Sequence, residues 1–188
     1  MKETTRQYRP SLGFYHPNGK GTGSAIRMSL HPAHNNHDGC IMLQLANQVT
    51  VGDRTAAVPV FPTFDWENKV TVKLDFNDLS KMLQVFRGEC EAAGEGKGLY
   101  HRSAKYNTKI GFRHIIEPVQ GYSLDVSRAE LNGANESRVH FVMNAAESMG
   151  LMEAIAGAMC IVSFGIPMVI PRTGGGATAS GECGDDAA

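Results

Sequence analysis

With 188 residues, 42% of them apolar, and a formal net charge of −1, the chain suits one globular domain or two small halves sharing a core, and bulk charge alone does not make it a polyanion binder. No uninterrupted apolar run of about 18 residues occurs, so no membrane span is expected, and residues 1–9 lack the apolar centre of a secretory signal. Cys40, Cys90, Cys160 and Cys183 lie far apart with no C-x-x-C pair, which points to a reduced, cytoplasmic setting.

Residues 1–13 are polar and read as a loose N-terminus. Phe14-Tyr15-His16 is aromatic and opens a strand. Gly19-Lys20-Gly21-Thr22-Gly23 lacks the spacing of a phosphate-binding P-loop and precedes a strand rather than a helix, so it reads as a turn or bulge. From Ser24 to His31 the residues alternate, with Ile26, Met28 and Leu30 on one face and Arg27, Ser29 and His31 on the other. Lys20 and Arg27 are expected to be exposed. His31, His34 and His37 recur every third position and end at Asp38, a spacing that a metal-dependent enzyme could use. Pro32, Asn35, Asn36 and Gly39 are turn residues, however, and histidines in such loops are usually solvated, so no metal site and no cofactor are assigned. A strand follows over 39–47, then a connection over 48–63 containing Pro59 and Pro62.

Phe64-Asp65-Trp66-Glu67-Asn68-Lys69 holds the single Trp and leads into Val70-Thr71-Val72-Lys73-Leu74-Asp75-Phe76, whose period of two predicts a half-buried strand. At Asn77 the period changes. Leu79, Met82, Leu83 and Phe86 recur at helical spacing, with Asn77 or Asp78 as N-cap and Gly88 as the stop. The plan then repeats. Leu99-Tyr100-His101-Arg102 echoes Phe14-Tyr15-His16, and alternating strands are expected over 108–115, 122–128 and 138–143. Asn144-Ala145-Ala146-Glu147 starts a helix to about Phe164. Met149, Met152, Ala156, Met159 and Ser163 run along one side of it, suited to a core or a subunit interface. Residues 167–188 read as a disordered acidic tail, with Glu182, Asp185 and Asp186 and no Lys or Arg from Thr173 onward, so that the body is weakly basic. Strands ended by a helix, twice over, define an α+β fold of antiparallel sheets with helices on one side.

The aromatic-Asp-Trp-x-x-Lys segment at Phe64 to Lys69 resembles that of the Whirly proteins. Leu99-Tyr100-His101 is similar to the Phe-Phe-His that opens the Whirly second half, and Gly19-Lys20-Gly21-Thr22-Gly23-Ser24 is similar to a Lys-Gly-rich motif on an early Whirly strand. The order of elements agrees over residues 14–165. The domain is therefore placed at 14–166. The wider group includes the positive-cofactor-four coactivator and trypanosome guide-RNA-binding proteins. Two departures stand out. Plant members carry transit peptides, which residues 1–9 do not resemble, and Arg102 replaces the Asp that follows Phe-Phe-His. Both suit a bacterial or viral member.

The resemblance implies a single-stranded DNA-binding protein of little sequence specificity, acting in replication, recombination, repair or transcription, without catalysis. It also implies a homotetramer assembled through the helices. Such binding uses aromatic faces for bases and cations for phosphates. Tyr15, Phe64, Trp66, Tyr100 and Tyr106 supply the first. Lys20, Arg27, Lys69, Lys73, Arg102, Lys105, Lys109 and Arg113 supply the second. Core packing is the competing role for Trp66, and a plain solvated strand position for Lys69 and Lys73. Single-stranded RNA is the nearest alternative ligand. The acidic tail is expected to compete for the groove or to contact other proteins.

Overall fold

The computed structural model describes residues 10–166 except 35, 36, 54, 118 and 134; the expected acidic tail lies outside the described residues. The first half forms β1 (Ser11–His16), β2 (Ser24–His31), β3 (Cys40–Thr50), β4 (Thr63–Phe64), β5 (Val70–Leu74) and α1 (Phe76–Phe86). The second forms β6 (Leu99–Arg102), β7 (Tyr106–Ile115), β8 (Gly121–Glu130), β9 (Glu136–Asn144) and α2 (Ala145–Phe164). Both sheets are antiparallel. The first runs β1-β2-β3, with β4 and β5 both paired to β3, and the second runs β6-β7-β8-β9. The α+β plan of two strand-then-helix repeats is present as expected. Several boundaries move: β1 begins at Ser11 rather than Phe14, and β3 runs on to Thr50.

The period of two decides which residues meet. Ile26 pairs with Leu45 and Leu45 with Val70; Leu43 pairs with Val72 and Ile41 with Leu74. In the second sheet Leu99, Ile110, Val126 and Val139 form one such row. All of these are buried and form one continuous core between the sheets.

The first helix starts two residues earlier than the sequence suggests. Asp75 is the N-cap and Asp78 is N3, and the two form a reciprocal capping box. Asp75 therefore closes the strand and Phe76 lies on the helix, half-exposed, instead of extending the buried phase of Val70, Val72 and Leu74. An acidic side chain aimed at free backbone N–H groups outweighs the continuing alternation. The second helix begins as expected, with Asn144 and Glu147 forming its capping box.

Each helix of one half also packs on the other half. Phe86 of α1 lies 4.8 Å from both Phe112 and Tyr122, and the Tyr122 hydroxyl donates to the Phe86 carbonyl at 3.2 Å. At the C-terminal end of α2, the amides of Ala33 and Gly39 donate to the carbonyls of Ile161 and Val162, at 3.2 and 3.1 Å. The loop between β2 and β3 thus helps to satisfy the last carbonyls of α2, Ile161 sharing its oxygen with the Gly165 amide. A Cβ on Gly39 would lie 2.6 Å from the Val162 oxygen, so only glycine fits there. The histidine-rich loop has a structural task. Among the described residues no three His, Cys, Asp or Glu side chains converge, so the enzyme alternative built on His31, His34, His37 and Asp38 gains no support.

Leu151, Ile155, Ala158 and Val162 form the buried face of α2. Met152, Ala156 and Met159 sit at its flank against the core, whereas Met149 is 64% and Phe164 84% exposed. The methionine stripe is therefore the margin of the buried face. By length and composition alone α2 is also apolar enough to cross a membrane, which the search for an unbroken apolar run did not show; one of its faces lies on the sheets.

Candidate nucleic-acid interface

Tyr15, Ala25 and Ala46 sit side by side on β1, β2 and β3, and Gly13, Arg27, Gln44 and Thr71 form the next row. These rows lie on the face of the first sheet that points away from the core. Small neighbours leave Tyr15 standing 47% exposed. Its ring meets Phe64 edge-on at 5.7 Å and Trp66 at 6.2 Å. The Arg27 guanidinium lies 4.0 Å from the Trp66 ring centre, and its Nε donates to the Tyr15 hydroxyl at 3.0 Å. Aromatic faces and one cation thus form a single preorganised patch.

Trp66 is held by its own loop. Asp65 accepts from the Asn68 amide at 3.0 Å and from its side chain at 2.9 Å, and Lys69 Nζ donates to the Trp66 carbonyl at 3.0 Å. The side-chain and backbone hydrogen bonds from Asn68 hold the Asp65 carboxyl below the usual carboxylate range. The Gly-rich turn is fixed too. The buried Gln48 carboxamide oxygen accepts from the amides of Asn18 and Gly23, at 2.9 and 3.0 Å, and its NH₂ donates to the Asn18 carbonyl at 3.1 Å. Lys20 is exposed on this turn.

From Trp66 the chain passes through Lys69 in the β4–β5 connection to Thr71 and Lys73 on β5, a strand that among the described residues pairs with β3 alone. That strand leads to a second cluster. Thr71 and Lys73 line one wall of a cleft of about 190 Å³; His101, Arg102, Tyr106 and Arg128 line the rest. Arg128 lies 3.7 Å from the Tyr106 ring centre. His101 is anchored by Asp78 at 2.8 Å, which ties the cleft to the α1 cap.

The remaining candidates face elsewhere. Tyr100, Lys109 and Arg113 share the outer face of the second sheet, where Lys109 Nζ lies 5.5 Å from the Tyr100 ring and Arg113 Nε donates to Ser123 Oγ at 3.2 Å. Arg138 and His140 stand on the same face, paired with Asp125 at 3.6 and 2.8 Å. Lys105 is exposed on the turn between β6 and β7. The thirteen candidate residues therefore divide between the first sheet with its edge cleft and the outer face of the second sheet, with Lys105 apart on the β6–β7 turn. Arg128, Arg138 and His140 are additions. Arg128 was legible as a cation in phase with the buried Leu124 and Val126, a sign that the sheet outruns its core.

No family model matches the sequence, and no curated protein matches it. Solved structures do match in fold. WHY1 from Arabidopsis thaliana superposes with a TM-score of 0.66 at 14% identity, covering 84% of this chain and 87% of that one. The plant transcriptional regulator PBF-2 matches at 0.64 and 15%, covering 84% of each chain. A guide-RNA-binding protein complex bound to a guide RNA matches at 0.51 and 16%, covering 81% of this chain and 91% of that one. Two antiparallel sheets, each closed by a helix and superposing on WHY1, WHY3 and PBF-2 over more than four-fifths of the chain, give this protein a Whirly-like fold.

Proposed function

We propose that this protein binds single-stranded nucleic acid with little sequence preference, with DNA as the primary ligand and a role in replication, recombination, repair or transcription. The carrying observation is the Tyr15–Arg27–Trp66 patch on an open sheet face, flanked by Lys20, Lys69 and Lys73. Every base presents a stackable face, so such a patch tolerates any sequence but needs the base out of a duplex. The fold it shares with a complex bound to a guide RNA keeps RNA as the second reading. The reading is one of binding and not of catalysis.

Matched single-stranded DNA, single-stranded RNA and duplex, titrated across a salt series, test it. Single-stranded DNA should bind at least about 10-fold tighter than duplex, with affinity falling as salt rises. Equal affinity for single strand and duplex at the same salt defeats the stacking mechanism. Tighter binding of RNA moves the assignment to the second reading.

The same reading includes a homotetramer built through α2. Its solvent side has no Lys or Arg and carries Met149 and Phe164, a poor surface to leave in water. Light scattering at micromolar concentration should return a tetramer mass, and a monomer mass rules this assembly out.

A further inference from the structure

We propose that the cleft between β5 and the far end of the second sheet is a second base-binding subsite, on the same strand path as the Trp66 patch. This rests on the single-strand reading above and extends it to Tyr106 and Arg128, outside the Trp66 patch. The row of β7 that buries Ile110 and Phe112 continues through Thr108 to Tyr106, and the row of β8 that buries Val126 continues to Arg128. The second sheet thus extends beyond the apolar contact with the first, and its inner face becomes polar and half-exposed there. In a two-layer fold such an overhang would ordinarily be covered or shortened. Here it holds a guanidinium over a phenol ring, 3.7 Å from its centre, with Lys73 and Arg102 lining the same cleft.

Size and chemistry narrow the occupant. Enclosed sites for whole small-molecule ligands run to about 300–1,000 Å³, and a cleft of about 190 Å³ accepts one flat group instead. An Arg–aromatic pair offers a planar surface for stacking, and Lys73 and Arg102 offer charge for the flanking phosphate. The ligand is thus one base and its phosphate within a longer strand.

Position supplies the connection. Trp66 in the β4–β5 connection and Lys73 on β5 are seven positions apart, a span of at most ~25 Å for extended chain. Lys69 and Thr71 lie between them. A strand stacked at Trp66 runs along this stretch and reaches the cleft after a few nucleotides. A very short oligomer occupies one subsite, and a longer one engages both.

The test is the length dependence of binding to oligothymidylates, from trinucleotides to about 20 nucleotides, in the wild type and in Arg128→Ala, Tyr106→Ala and Trp66→Ala. In the wild type, affinity should step up once the strand spans both subsites. Arg128→Ala and Tyr106→Ala should remove that step, weakening the longest oligomer on the order of 10-fold and leaving the shortest within about 2-fold. Thermal unfolding checks that each variant is folded. Arg128→Gln, which keeps most of the side chain's bulk, serves if the alanine variant is not. Oligomers carrying 5-iodouracil should photocrosslink within the β7 segment around Tyr106 when long, and only near Trp66 when short. Wild-type binding of every length with folded Arg128 and Tyr106 variants overturns the subsite while leaving the Trp66 patch standing. Failure of the wild type to prefer single strands overturns the underlying reading instead. An oligoribonucleotide series run in parallel shows which sugar the cleft takes.

Discussion

Trp66→Ala should weaken binding of single-stranded DNA by about 10-fold or more while leaving the salt dependence of binding unchanged. Losing one aromatic platform costs about 1–3 kcal/mol per stacked base, and no phosphate contact is lost with it. Lys73→Ala should behave in the opposite way. Its effect on affinity should be smaller at high salt, and the slope of log affinity against log salt should shrink by about 0.7, the value for one neutralised phosphate on a single strand. The two variants separate stacking from charge on one surface. Arg27→Lys should also weaken binding, because an ammonium keeps the charge but lacks the planar group that the guanidinium places over the indole at 4.0 Å. Trp66 is the single Trp of the chain, so its own emission reports occupancy in the wild type and should be quenched as strand is added. Unchanged affinity in a folded Trp66→Ala protein removes the patch from the binding site.

Phe141→Ala should be among the most destabilising single substitutions, at about 3–5 kcal/mol. The Phe141 side chain on β9 is completely buried, and its ring stacks on His16 at 4.4 Å between centroids. His16 ends β1 and bonds Glu147 of the α2 capping box at 2.7 Å. Close by, Ser24 Oγ donates to the His140 carbonyl at 2.6 Å and Asn47 Nδ2 to the Arg138 carbonyl at 3.2 Å. This is where the two halves are joined, and the cavity left by the ring would open there. Phe76→Ala is the control. Its ring is half-exposed on α1, so its loss should cost within about 0.5 kcal/mol. Urea unfolding of both variants gives the comparison, and a Phe141→Ala cost below about 1 kcal/mol would show that the junction lies elsewhere. Alternation in the sequence would have placed Phe76 in the core, so the pair also measures how far that alternation can be trusted.

Local pattern carried much of the architecture. The phases of β2, β5, β7, β8 and β9, the second helix with its Asn144–Glu147 cap and the order of elements were all legible, because side-chain direction in a strand and hydrogen bonding at a helix start depend on residues only a few positions apart. The edge of the first sheet was partly legible. The aromatic and basic residues of 64–73 are plain in the sequence, but not that β4 and β5 share β3 as partner, with Trp66 and Lys69 in the connection between them. The candidate binding residues come from two surfaces for the same reason. Tyr100 and Trp66 look alike in sequence, and nothing within either segment says which sheet face it will share.

Four features came from contacts between distant segments. The histidine-rich loop gives the amides of Ala33 and Gly39 to the end of α2, more than a hundred residues away, a structural role that its spacing does not announce. The first helix packs on the second half's Phe112 and Tyr122. Arg128 and Tyr106 meet across the β7–β8 pair where the sheet passes beyond its core. The cleft beside them is closed on its other side by Thr71, Val72 and Lys73 of β5. Composition, alternation and caps thus specify the strands, the second helix and the stock of aromatic and basic groups, all short-range properties of the chain. Which of those groups share a surface depends on the register and offset of two sheets, and burial of Ile26, Leu45, Ile110, Val126 and Phe141 against one another determines that offset.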